Sequence, residues 1–165
     1  MPIVLTGQRN PLADGRQSER ALFVRRGVQR LFGRLAMPLL PEMPLASGRR
    51  ADLIALDPKG NIIIIEIKSS VEDFRADAKW PEYRRFCDRF YFATHPEVPA
   101  SIFPEDAGFI LADGHGGEII REAPLHPMPG ATRKALLIRL ARAGAARLMA
   151  AEMAGIDVPD SPWPA

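Results

Sequence analysis

Two carboxylates and an amine carry the chemical content of this chain: Asp52, Glu66 and Lys68. Glu66 and Lys68 flank Ile67 at the end of an isoleucine run, Ile62 to Ile65. Strand alternation puts Ile62, Ile64, Glu66 and Lys68 on one face and Ile63, Ile65 and Ile67 on the other. A strand this apolar is normally covered on both faces, and a charge buried there needs a partner or a metal. Glu66 and Lys68 can satisfy each other, as an ordinary edge-strand ion pair does. Asp52, on the preceding strand, adds a third charge. Asp52 and Glu66 together suit a divalent cation that prefers oxygen ligands, and the Ile67 carbonyl can add another. Mg²⁺ keeps several waters in such a site, and one polarised water is a ready nucleophile. Lys68 can orient that water, assist its deprotonation, or balance charge developing on a phosphate. The three residues form a small kit for phosphodiester hydrolysis.

The elements that must position them are legible around a turn. Asp57-Pro58-Lys59-Gly60 has turn chemistry, and it separates the strand-like segments Arg50–Leu56 and Asn61–Lys68. A β-hairpin follows. Upstream, Ala21, Val24, Val28, Leu31 and Leu35 fall at helical spacing, and Ser18 with Glu19 is a helix start. Helix is predicted over 17–35 and an extended, proline-bearing edge strand over 39–46. Residues 70–79 read as loop and turn, and Pro81 opens a short helix to Phe86. Strands are predicted over 90–93, 108–112 and 118–120, the last two joined by a tight link at Gly114–Gly117. A long Ala- and Leu-rich helix covers 131–154. The first 16 residues read as a flexible end and 156–165 as a Pro-rich tail, leaving 17–155 as a single domain of mixed α/β class.

Composition bounds the rest. The 165 residues are 47% hydrophobic and 25% charged, which excludes wholesale disorder. No apolar stretch approaches the ~18 residues of a membrane span. The start lacks a basic region followed by an apolar one, and a lone cysteine, Cys87, fits a reducing compartment. A cytoplasmic protein without membrane contact is expected. The net charge of +2 is segregated: +6 over residues 1–50, −6 over 51–130 and +2 over 131–165. Basic flanks around an acidic middle suit a polyanion gripped at the flanks, with carboxylates holding a cation at the centre. A solvated arginine face accounts for the same counts.

The spacing Asp52…Glu66-Ile67-Lys68 resembles the PD-(D/E)xK nuclease superfamily, with Ala51 where proline often stands. The stretches RRADLIAL, IIIIEIKSSVEDFRADAKWPEYRRFCDRFYFAT and AGFILAD are similar to the MmcB-like group of bacterial DNA repair proteins, over about residues 17–150. The resemblance implies a restriction-endonuclease-like fold: a central four-stranded mixed sheet flanked by helices, with an extra C-terminal helix. It implies a metal-dependent DNA endonuclease with Mg²⁺ or Mn²⁺ held by Asp52, Glu66 and the Ile67 carbonyl, and Lys68 as the catalytic amine. Glu19 is a candidate additional acid, and equally a residue that suits the helix dipole. Lys79, Arg49 and Arg50 are candidate DNA phosphate contacts. A homodimer would let such a nuclease cut both strands symmetrically.

Other features are weaker. Glu72 and Asp73 read as solvated loop acids. His95, His115 and His126 lack metal-ligand spacing, and Cys87 reads as a structural thiol. Arg133, Arg139, Arg142 and Arg147 either track a DNA backbone or solvate the last helix. The alternative function is a non-catalytic DNA-binding or assembly module on the same fold.

Overall fold

The isoleucine run becomes the spine of the molecule in a computed structural model that describes residues 18–159. Strand β3 (Ile62–Ile67) is buried at all six positions. On one side it pairs antiparallel with β2 (Arg50–Leu56), and on the other parallel with β4 (Arg89–Thr94). The β2–β3 hairpin closes through Gly60, which donates its amide to Asp57 at a φ of 84° that glycine accepts without strain.

Two apolar layers cover the sheet, one on each face. Helix α1 (Glu19–Arg34) starts where Ser18 Oγ accepts the Ala21 amide at 3.1 Å. Its Val24, Val28, Leu31 and Phe32 pack on Leu53, Ile63, Ile65 and Ile110. Gly27 brings this helix against the backbone of Asp113 and Gly116, closer than any side chain would permit. On the opposite face Ile54, Ile62, Ile64, Phe92 and Phe109 meet Leu136 and Leu140 of the C-terminal helix α3 (Gly130–Met153). Each such aliphatic side chain contributes about 1.5–3 kcal/mol by leaving water.

The sheet has six strands, not the expected four. Strands β2 to β4 continue into β5 (Gly108–Ala112), and hairpins add an antiparallel strand at each edge: β1 (Leu39–Pro44) on β2 and β6 (Gly117–Arg121) on β5. The segments read from the residues as 39–46 and 118–120 are those two edges. A second correction falls on residues 70–79. A short helix α2 (Val71–Ala76) forms there because Ser70 Oγ accepts the Asp73 amide at 3.0 Å. Only Val71 and Phe74 pack, partly buried, against the core, too few positions to mark a helical period in the sequence. Trp80–Phe86 is a 3-10 helix with proline in its first turn. Residues 1–16, expected to be a flexible end, and 160–165 of the tail lie outside the described residues.

One buried carboxylate ties the far end of the sheet together. Asp88 accepts from the Ile62 amide at 2.7 Å, the Met128 amide at 3.1 Å and both terminal nitrogens of Arg133. Burial opposes its charge, yet Arg133 and the two amides hold its carboxyl below the usual range. Asp88→Ala leaves two amides without their acceptor and Arg133 with only the Gly60 carbonyl. It is expected to cost about 3 kcal/mol in chemical denaturation. A loss under about 1 kcal/mol, typical of an exposed pair, would refute this clasp.

Candidate active site

The β2–β3 ladder pairs Leu53–Leu56 with Ile62–Ile65 and stops there. Beyond the last pair the side chains take over the backbone's partners. The Asp52 amide donates to Glu66 Oε1 at 3.1 Å, and the Ile67 amide donates to Asp52 Oδ2 at 2.8 Å. Meanwhile β3 remains joined to β4 as far as Ile67, and the Lys68 amide reaches the Ala93 carbonyl. The strands therefore part at a fork whose two tines are cross-linked by carboxylates. A polar cleft of about 410 Å³ opens there, lined by Ser18, Arg49, Asp52, Glu66, Lys68, Asp73, Asp77 and Tyr83 among others.

Glu66 is only 4% exposed and Lys68 6%. Burial pushes the Asp52 carboxyl up from 3.8 to about 6, with the nearby Glu42 charge adding to it against the Ile67 hydrogen bond. Burial, and then the charge of Asp52, hold Glu66 well above the ordinary glutamate value. Lys68 is different. Burial works against its ammonium, but Asp77 receives it at 2.8 Å and, with Glu66, keeps it protonated above the usual lysine value. Asp77 in turn sits below the usual carboxylate range: Lys68 outweighs the opposing burial.

Asp52, Glu66, Ile67 and Lys68 thus meet in one cleft. Each carboxylate has one oxygen engaged by a backbone amide, and among the described residues its second oxygen accepts no hydrogen bond. Two hard oxygen donors that disfavour sharing a buried site as bare anions fit a divalent cation, and Mg²⁺ commonly uses one or two carboxylates with water. Among the described residues no three His, Cys, Asp or Glu side chains form a group that could hold a metal. Any such cation therefore rests on the pair and on carbonyl or water oxygens.

The other candidates are dispersed. Arg49 lines the cleft, its guanidinium 5.9 Å from the Tyr83 ring centroid and its Nε 2.7 Å from Glu82. Arg50 is paired with Glu42 at 2.6 Å. The exposed Lys79 lies outside the cleft lining. Glu19 is exposed as well and lines a separate groove with Phe23, His95 and Glu97. Arg133 and Arg147 are used inside the fold, on Asp88 and on the carbonyls of Pro41 and Glu42.

Two residues of this site, and one charged neighbour of Asp52 outside the cleft lining, were missed in the sequence or read otherwise. Asp73, expected to be solvated, lines the cleft and accepts the Ser69 amide at 3.0 Å. Asp77 carried no signal, since it lies in an aperiodic stretch nine residues beyond Lys68. Glu42, a single acid in a proline-flanked apolar strand, is the kind of isolated charge that marked Glu66.

The family model described as DNA repair protein MmcB-like matches residues 8–155. The chain belongs to that family. This MmcB-like chain is also similar to a solved structure, the SPO1766 protein of unknown function from Silicibacter pomeroyi. The two share 36% identity with a TM-score of 0.80, over 88% of this chain and 99% of that one. No curated protein matches it. No helix among its described residues is long and apolar enough to cross a membrane.

The raised carboxyls have a consequence for stability. A carboxyl whose folded pKa exceeds its ordinary value makes its most favourable contribution below about pH 4, and that contribution is lost as pH rises through about 6. At about 1.4 kcal/mol per pKa unit, holding Asp52 ionised at pH 7.5 costs about 3 kcal/mol. In chelator, Asp52→Asn is therefore expected to unfold at higher denaturant than the parent protein at pH 7.5. The difference should shrink as pH falls below 6. An Asn variant weaker than its parent at pH 7.5 contradicts this account.

Proposed function

We propose that this MmcB-like chain is a DNA endonuclease of the PD-(D/E)xK type that works with Mg²⁺ or Mn²⁺ in DNA repair. The observation that carries the reading is the interlocked Asp52–Glu66 pair at the fork, with the protonated Lys68 in the same cleft. Asp52, Glu66 and the Ile67 carbonyl would hold the cation. When bound, it would lower the pKa of a bound water, so that loss of a proton to solvent leaves a hydroxide able to attack phosphorus, and it would neutralise charge on the phosphate.

The remaining work belongs to the chain's own side chains. Asp52 and Glu66 are fixed by backbone amides, so little reorganisation is needed on binding. Lys68, kept charged by Asp77, acts as a cationic donor to a phosphate oxygen rather than as a base. Arg49, braced by Glu82 and the Tyr83 ring, offers a phosphate contact at the rim of the cleft. Arg50 on β2, next to Arg49, and the exposed Lys79 outside the cleft would add further phosphate contacts, and a homodimer would present two clefts to a duplex.

Labelled single strands, nicked and flapped duplexes and branched junctions, incubated with Mg²⁺ or Mn²⁺, test this. Wild type is expected to cut at least one substrate. Glu66→Gln and Lys68→Ala should each slow it by on the order of 100-fold or more. Cleavage that survives both substitutions would place the activity elsewhere. Tight structure-selective binding without cleavage by any of the three proteins would establish a binding module instead.

A further inference from the structure

Strand β1 meets β2 in register at Pro41↔Leu53 and again at Met43↔Ala51, leaving Glu42 and Asp52 as an unpaired step between them. Glu42 has a φ of 53°, a left-handed conformation that residues with a side chain rarely adopt. The facing of both strands slips at this step. Leu39 packs in the α1 layer, whereas Met43, which alternation would place beside it, lies in the α3 layer. Likewise Leu53 and Ala55 face α1, but Ala51 faces the other way. The ribbon has rotated at Glu42 and Asp52.

Three elements converge on it, one of them through the backbone. Arg25 of α1, 3% exposed, lies 3.7 Å from the Glu42 carboxylate, and Arg50 lies 2.6 Å from it. Arg147 of α3 donates to the carbonyls of Pro41 and Glu42, the latter at 2.9 Å. A strained residue persists only where its surroundings over-determine it, and such residues cluster at functional sites. Here the rotation coincides with the fork, where Asp52 exchanges hydrogen bonds with Glu66 and Ile67 instead of extending the β2–β3 ladder.

We propose that the left-handed backbone of Glu42 is a positioning device for the Asp52–Glu66 pair. It turns the β1–β2 ribbon by one step so that the Asp52 carboxylate enters the cleft; Arg147 locks that turn through the backbone carbonyls, and Arg25 and Arg50 only neutralise the Glu42 side chain. Its value for catalysis rests on the reading of Asp52 and Glu66 as the cation-holding pair.

Glu42→Gly and Glu42→Val separate the backbone from the charge. Both remove the carboxylate, but glycine accepts the left-handed conformation and valine resists it. Hydrogen exchange of the Asp52 and Ile67 amides reports the pair directly, in metal-free protein. Calorimetric titration of Mn²⁺ reports its function. Glu42→Gly is expected to keep both within about threefold of the parent, while Glu42→Val raises exchange at those two amides and weakens Mn²⁺ by roughly tenfold or more. Amides in the middle of β3 and β4 should stay protected in both variants. If valine prevents folding, Arg147→Met removes the lock more gently, and adding Glu42→Gly to it should restore protection. Equal effects of glycine and valine, or none from either, overturn the proposal. A parent protein that binds no Mn²⁺ overturns the metal reading alone, and the exchange comparison then decides the role of Glu42.

Discussion

Everything in the cleft depends on an exchange of partners between two neighbouring strands: the Asp52 amide bonded to Glu66, and the Ile67 amide bonded to Asp52. A backbone amide buried without an acceptor costs free energy comparable to a lost hydrogen bond. Where the β2–β3 ladder ends, each carboxylate supplies the acceptor that the opposite strand no longer offers. The same two hydrogen bonds fix both side chains and spread the strands, so the site and the opening that leads to it have one cause.

That arrangement has an electrostatic cost. Two carboxylates share a cleft at the end of a fully buried strand, and burial lifts both of their pKa values. The opposing charge nearby, Lys68, is engaged by Asp77 rather than by Glu66. Among the described residues no cationic side chain is hydrogen-bonded to the pair, which adds to the burial that raises both carboxyls. The rigidity comes from elsewhere: Phe74 of α2 sits edge-on to Phe92 and Phe103 and anchors the segment that delivers Asp77.

The arginines show how a single residue type serves unlike ends. Arg133 clasps Asp88 at one end of the sheet, and Arg147 holds two β1 carbonyls beside the fork. Arg25 is buried against Glu42, while Arg49 stands at the rim of the cleft. Segregated charge along the chain is thus partly a record of internal caps, since guanidinium forks can satisfy carbonyls and carboxylates that no strand partner reaches.

Local chemistry made much of this readable in one dimension. The hairpin from Arg50 to Lys68 follows from its turn residues and from the β-branched run, and helix α1 from its apolar period and the Ser18 cap. The juxtaposition of Asp52 with Glu66 and Lys68 follows from counting residues across that hairpin. The number of strands did not follow from resemblance, because two short hairpin edges extend the four central strands. Helix α2 is too short to show an apolar period, so its capping serine was its clearest trace. Asp77 reaches Lys68 only because the chain turns back after α2, and Glu42 matters only because Arg25, Arg50 and Arg147 converge on it from three elements. Turn type, strand alternation and helix period are properties of neighbouring residues, and the sequence by itself determined them. Which charges meet across 9, 17 or 105 positions is decided by packing, and only the tertiary structure settled that.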